Sequence, residues 1–293
     1  MPKTKINTKL LKKLSEAHGA PGFEYNIRNL IIEEIKDHVD SIDIDPMGNM
    51  TAIKKGKKRK KVMVAAHMDE IGFMVNHIDD SGFVRFGPLG GFDPKTLTAQ
   101  RVIIHGTKDI PGVLGTKPIH VMSAAERRQP AELKQYYIDL GLSKEEVVKH
   151  VKIGDSITWD QKCIDVGHTI CGKSLDNRLS VFILIEILKK LKKPAYDFYA
   201  VFTVQEEVGV RGAIAAAHSI QPDFGMGLDV TIACDIPGTS KHEYISELGK
   251  GVAIKAMDGG SISDYRLVNF LLDQAKKKKI NYQHIINWQI SQE

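Results

Sequence analysis

Two adjacent carboxylates, Glu206 and Glu207, follow the apolar run Ala200–Val204 and precede Gly209 and Gly212. Neighbouring residues on an extended chain point to opposite sides, so one of the pair can bind a metal while the other stays free to move a proton. His67 and Asp69 follow a second apolar run, Val62–Ala66. His-x-Asp at a strand end puts both side chains on one face, where the carboxylate can orient a ligating imidazole or hold a neighbouring site in register. Asp176 stands at the entrance to an apolar segment, Leu179–Leu191, and Asp229 falls in the segment 223–232. Taken singly these residues have ordinary roles: solvated charges for the Glu pair, a satisfied strand-end histidine, a helix N-cap. Together they are one imidazole and three separated carboxylates, Asp176, Glu207 and Asp229, with Glu206 to spare. Imidazole with carboxylates suits a zinc-type ion, or a pair bridged by a carboxylate. Two ions about 3.5–4 Å apart suit hydrolysis, because they acidify water and polarise a carbonyl. A general base is still required, and Glu206 sits beside a ligand.

The elements that must position these groups alternate in the manner of an α/β protein. Leu10, Leu11 and Leu14 give a short amphipathic helix over 8–17 with Thr8 as its expected N-cap, and Ile27, Leu30, Ile31 and Ile35 give a second over 24–38. Val39–Ile53 alternates and is punctuated by Pro46-Met-Gly-Asn49, which predicts a hairpin. Val62–Ala66 and Ala200–Val204 read as buried strands, with Asp229 in a further strand and helices over 212–218 and 264–277. Ligand sites in open α/β sheets lie beyond the carboxyl ends of the strands, which is where the acids and His67 fall. Between them the texture changes: residues 75–159 form short, glycine-rich, strand-like segments, predicting a small β-barrel or sandwich inserted into the first domain. A helical patch is expected over 129–150, with Ser143 as cap and Glu146 at the third position on. His77, His105, His120 and His150 show no mutual ligand spacing and read as surface or core histidines.

Composition narrows the function. With 293 residues, 42% hydrophobic and 26% charged, the chain can bury an ample core. The net charge of +5 is concentrated in Lys54–Lys61, which reads as an exposed hairpin tip, and in Lys276–Lys279. Neither run is interleaved with aromatics, so nucleic acid is not an expected partner. Cys163, Cys171 and Cys234 form no CxxC pair and read as buried free thiols of a reducing compartment. The stretch after Met1 lacks the apolar core of a signal peptide. No apolar run approaches the roughly 18 residues of a membrane span, so a cytoplasmic protein is expected.

The chain resembles the M42 family of dinuclear metallo-aminopeptidases. The resemblance runs along essentially its whole length and is carried by Ala66-His-Met-Asp-Glu-Ile-Gly72, Ile138-Asp-Leu-Gly141, Ile153-Gly-Asp155, Leu175-Asp-Asn-Arg178, Gln205-Glu-Glu-Val-Gly209, Arg211-Gly-Ala213 and Leu228-Asp-Val-Thr231. It implies a zinc-peptidase-like α/β fold, with a central mixed sheet flanked by helices and an inserted small β-barrel-like domain. Residues 1–74 and 160–293 would form the catalytic domain, and 75–159 the insert. It implies two divalent ions, zinc or cobalt: His67, Asp176 and Asp229 would hold one, and Asp176 would bridge to a second held by Glu207. Glu206 would be the general base and Asp69 would orient His67. Peptides would be the substrates, and the chain a homo-oligomer between a dimer and a dodecamer. Beyond the equivalent of Ile280-Asn-Tyr-Gln283 the family continues into a Gly-Gly-Thr-Asp-Ala motif and a later histidine ligand of the second ion. Neither stands before Ser291-Gln-Glu293, and His284 comes too early to match. The second site is therefore expected to lack that histidine, and the expected function is an aminopeptidase or, alternatively, a folded homologue that binds metal incompletely.

Overall fold

The computed structural model describes residues 6–129 and 131–287. The expectations drawn from the first residues and from Ser291-Gln-Glu293 lie outside them. The chain divides into two compact units, one through Asp229 and one from Val230 onward.

In the first unit α1 (Thr8–Glu16) buries Leu10, Leu11 and Leu14, and α2 (Tyr25–Ile35) buries Ile27, Ile31 and Ile35. Asn7, not Thr8, caps α1, its Oδ1 accepting from the Leu10 N–H at 3.2 Å. α2 stops at Ile35, and Lys36–His38 is a 3-10 turn. β1 (Ser41–Ile44) and β2 (Met50–Lys54) form the expected antiparallel hairpin. Asp45 closes it by accepting from the N–H groups of Met47, Gly48 and Asn49. β3 (Lys58–His67) follows.

The chain then leaves the sheet for a closed barrel, made by β4 (Gly72–Ile78), β5 (Val84–Leu89), β6 (Arg101–His105), β7 (Asp109–Gly115), β8 (Tyr137–Asp139) and, after the short α3 (Lys144–Val147), β9 (Ser156–Trp159). The barrel order is β4-β5-β8-β7-β6-β9. Phe73, Val84, Val102, Ile104, Ile138 and Ile157 alternate into its centre and are fully buried. The helical patch expected over 129–150 shrinks to α3. Ser143 and Glu146 form the predicted capping box there, but Tyr137–Asp139 pairs as a barrel strand. Sheet pairing overrides local helix preference at this point.

A small hairpin, β10 (Ile164–Val166) and β11 (Thr169–Cys171), leads to α4 (Leu175–Lys190), β12 (Tyr196–Thr203), α5 (Arg211–Ile220) and β13 (Phe224–Gly227). Among the described residues the central sheet has the order β1-β2-β12-β3-β13. β12 runs antiparallel to β2 and parallel to β3, and β13 runs parallel to β3. Ala52, Val64, Ala66, Ala200 and Phe202 pack with α1, α2 and α4 on one face; Met63 and Val201 pack with Ala216 of α5 on the other. This period-2 alternation makes a sheet covered on both sides.

The order also corrects two expectations. Lys54–Lys61 is not a hairpin tip, because β12 lies between β2 and β3. Its charges are partly engaged: Lys54 donates to Leu188 O, Lys61 donates to Ile220 O, and Lys60 lies 3.8 Å from Asp223. Asp229 lies beyond the end of β13, not within a strand. Of the cysteines only Cys163 is buried; Cys171 is exposed on the small hairpin and Cys234 is partly exposed. No helix among the described residues is long and apolar enough to cross a membrane.

The second unit carries β14 (Val252–Asp258), α6 (Tyr265–Lys278) and β15 (Tyr282–Asn287), with the two strands parallel. Asp264 caps α6 by accepting from the Arg266 N–H at 2.8 Å, and Ile254 packs against Val268 and Ala275. The lysines at 276–278 fill the last turn of α6, where they complement the helix dipole.

Candidate metal centre

The parallel pairing of β3 brings distant residues level. Thr203 of β12 is opposite His67, and Gly227 of β13 is opposite Ala65. Two residues further on, Asp229 comes beside His67, while Glu206 and Glu207 follow three and four residues after Thr203. Asp176 arrives from a third direction, at the entrance of α4. Its backbone and that of Asn177 depart from helical geometry, with ψ of 109° and 34°, so α4 becomes regular only from Arg178. The sequence places Asp176 before the apolar helix, and it lies in this irregular first turn.

One imidazole nitrogen is the point of convergence. His67 Nε2 lies 3.1 Å from Asp176 Oδ1, 3.9 Å from Glu206 Oε2 and 4.0 Å from Asp229 Oδ1. Nδ1 faces the other way, 3.2 Å from the backbone oxygen of Asp69 and 3.4 Å from its Oδ1. A proton on Nδ1 satisfies Asp69 and leaves the Nε2 lone pair aimed at the acids, the orientation a ligating histidine needs. His67 and Asp69 are buried, whereas the Asp176 and Asp229 side chains are 60% and 44% exposed. The cluster is thus anchored from below and open above. Ligand atoms of His67, Asp176 and Asp229 all lie within 4.8 Å of one another, and so do those of His67, Glu206 and Glu207.

The electrostatics show what the cluster favours. Burial pulls the His67 imidazole down, but hydrogen bonds to Asp176 and Asp69 and the charge of Asp229 outweigh it and push it up to about 11. Burial, with the charge of Asp176 next, pushes Glu207 up to about 8. Burial also raises Glu206; the His67 charge opposes this, and Asp229 and Asp69 add to it. Protons are held here because burial disfavours charged carboxylates, and their close packing around His67 adds to it. A divalent cation relieves the same crowding, and nitrogen with carboxylate oxygen is the donor set for zinc-type ions. The residues fit a metal.

The Glu206–Glu207 turn is held by its backbone. Asp69 Oδ1 accepts from the Glu206 N–H at 3.1 Å and Oδ2 from the Glu207 N–H at 3.0 Å. Glu24 Oε1 accepts from the Gln205 N–H at 3.1 Å, and Asn49 Oδ1 from the Val204 N–H at 3.0 Å. Gly212 closes the turn where only glycine fits: a Cβ there would stand 2.3 Å from Val204 O and 2.4 Å from Asn49 Oδ1.

A second buried set ties the end of β3 to α4. Glu70 receives both Lys173 Nζ contacts, at 2.7 and 2.6 Å, and the Ser174 hydroxyl. Arg178, fully buried, donates to the backbone oxygens of Met68, Leu14 and Ala17 and lies 3.7 Å from Glu70. Neither spacing nor periodicity in the sequence marks Glu24, Glu70, Lys173 or Arg178 for a role. Glu70 and Arg178 do stand inside the motifs that carry the family resemblance, which was the available signal. A cleft of about 500 Å³ runs from Asp176 and Glu207 past Lys173 to Gln100, Trp159 and Gln161 at the barrel, within the range of small-molecule sites.

Another cluster joins residues that the sequence leaves unlinked. His105 Nδ1 lies 2.7 Å from Asp109 and its Nε2 2.9 Å from Thr158 Oγ1, with the His18 ring stacked 4.0 Å above. Ligand atoms of His18, His105 and Asp109 lie within 4.8 Å of one another, but Asp109 and Thr158 already engage both nitrogens of His105.

A mixed sheet covered by helices, with an acid-and-histidine cluster beyond its strand ends and a barrel between its strands, defines a zinc-peptidase-like hydrolase. Comparison with known proteins makes the class specific. The family model for the M42 glutamyl aminopeptidases matches residues 48–291. The lysyl aminopeptidase of Pyrococcus furiosus is 36% identical over 284 residues, covering 95% of this chain and 80% of its own. The structure of aminopeptidase APDkam598 from the archaeon Desulfurococcus kamchatkensis superposes with a TM-score of 0.91 at 41% identity, covering 96% of this chain and 80% of that one. The TET1 peptidase of Pyrococcus horikoshii, which can assemble into a tetrahedron or a large octahedral shell, gives a TM-score of 0.86 at 32% identity, over 96% and 84%. The chain belongs to the M42 family of aminopeptidases. It is a hydrolase of the peptidase class, in a family whose members depend on metal.

Proposed function

We propose that this chain releases residues from the N-termini of peptides at a dinuclear metal centre, with Glu206 as the general base. The observation that carries the reading is the convergence of Asp176, Glu206 and Asp229 on one nitrogen of His67. In this reading His67, Asp176 and Asp229 would hold one divalent ion, and Asp176 with Glu207 would hold a second. Zinc or cobalt suits the donors. Bound there, the ions supply Lewis-acid polarisation of the scissile carbonyl and a lowered pKa for water.

The chain's own groups do the remaining work. Asp69 fixes the tautomer of His67 and, through two N–H groups, the backbone of the Glu pair. Glu206 takes a proton from the attacking water and passes it to the leaving amine. Burial raises its pKa, the direction suited to a base that must also give the proton back. The cleft toward Trp159 and Gln161 receives the peptide. Residues 75–159 act as an inserted domain beside the catalytic segments 1–74 and 160–293, and the protein works as a homo-oligomer.

The test is metal analysis joined to hydrolysis of leucyl, glutamyl and lysyl anilides, with and without a chelator. Two ions per chain are expected, with activity lost to the chelator and restored by zinc or cobalt. A peptide with an acetylated N-terminus is expected to resist cleavage. One ion per chain and no turnover on any peptide would replace this reading with that of a folded homologue impaired in catalysis.

A further inference from the structure

Glu24 is buried, with 3% of its surface exposed, and burial raises its pKa. Burying a carboxylate is costly unless it is hydrogen-bonded. It precedes α2 in the N-cap position, yet its side chain makes no cap bond to that helix. Its Oε1 instead accepts from the Gly22 N–H at 2.8 Å and from the Gln205 N–H, 181 residues away, at 3.1 Å.

Gln205 is where the chain turns toward the acid cluster. Its φ is +52°, a left-handed conformation that a non-glycine residue seldom adopts. That conformation swings the chain off the line of β12 and carries Glu206 to within 3.9 Å of His67. Two carboxylates therefore hold three successive N–H groups: Glu24 takes that of Gln205, and Asp69 takes those of Glu206 and Glu207.

We infer that Glu24 is a positioning residue for Glu206, fixing the turn at Gln205 from the start of helix α2. The inference rests on the reading of Glu206 as the base. Glu24 acts on the turn before the base, whereas the backbone of Glu207 is held by Asp69. Loss of Glu24 therefore loosens the base and leaves the metal ligands in place.

The experiment measures kcat, KM and metal content for Glu24→Ala and Glu24→Gln on leucyl and lysyl anilides, with Glu206→Gln as comparator. Glu24→Ala is expected to lower kcat about 10- to 100-fold, the usual range for residues that support a site from behind. KM and metal content are expected to stay within about twofold on the same grounds. Glu24→Gln keeps an oxygen acceptor without the buried charge and is expected to retain kcat within about threefold. Should Glu24→Ala not fold, Glu24→Asp carries the test, since it keeps the charge but falls one methylene short of Gln205; its kcat is expected to drop likewise. Wild-type kcat in the shortened variants overturns the inference, as does a Gln variant no better than Ala. Full activity in Glu206→Gln instead overturns the catalytic reading itself, so the two failures are distinguishable.

Discussion

Asp69 holds Glu206 by its backbone: the carboxylate accepts the Glu206 N–H at 3.1 Å, and its second oxygen accepts the Glu207 N–H at 3.0 Å. The same carboxylate lies 3.4 Å from Nδ1 of His67. One buried side chain thus fixes the end of β3 and the turn after β12 in a single frame.

Replacing Asp69 by Asn puts an amide N–H₂ against one of the donors it must satisfy. Metal affinity and kcat are each expected to fall about 10- to 100-fold, as for other carboxylates behind a ligating histidine. Parallel measurement of metal dissociation and steady-state kinetics checks this; an unaltered affinity would separate Asp69 from the site.

Metal binding is expected to release protons. At pH 7 Glu207, pushed up to about 8, and His67, pushed up to about 11, both carry a proton in the ion-free protein, and each must lose it to become a ligand. The sign follows: affinity rises with pH, steeply below about 8 while two protons leave, and less steeply above it while only one does. Calorimetric titration in buffers of different ionisation enthalpy counts the protons, and a count near zero at pH 7 would contradict the assignment.

Arg178→Met leaves the carbonyls of Leu14, Ala17 and Met68 without their donor and removes a cation beside the buried Glu70. The loss is expected to be about 3–5 kcal/mol, the cost of breaking a buried charge pair from one side. Urea unfolding measures it, and a change under about 1 kcal/mol would show that water replaces the guanidinium freely.

Much of this site was legible in the sequence because its groups sit next to patterned strands. Val62–Ala66 and Ala200–Val204 announce buried strands, and the residues just beyond them, His67 and Glu206–Glu207, must fall at the strand ends. What the pattern could not supply is which strands lie side by side. β12 separates β2 from β3, which removes the hairpin expected around Lys54–Lys61. Tyr137–Asp139 is a strand only because the barrel closes on it. The supporting groups were hidden for the same reason. Glu24 meets Gln205, and Glu70 meets Lys173, across long stretches of chain, and no local periodicity encodes such a meeting. Cys171 read as buried because its neighbours are apolar, but its hairpin lies at the surface.

The most direct test of the account is Glu206→Gln, assayed for kcat and metal content in the same preparation. The substitution keeps the size of the side chain and removes the proton acceptor. The variant is expected to keep a full complement of metal with kcat lower by about 10²- to 10⁴-fold. Unchanged kcat in a metal-loaded Glu206→Gln protein would contradict it.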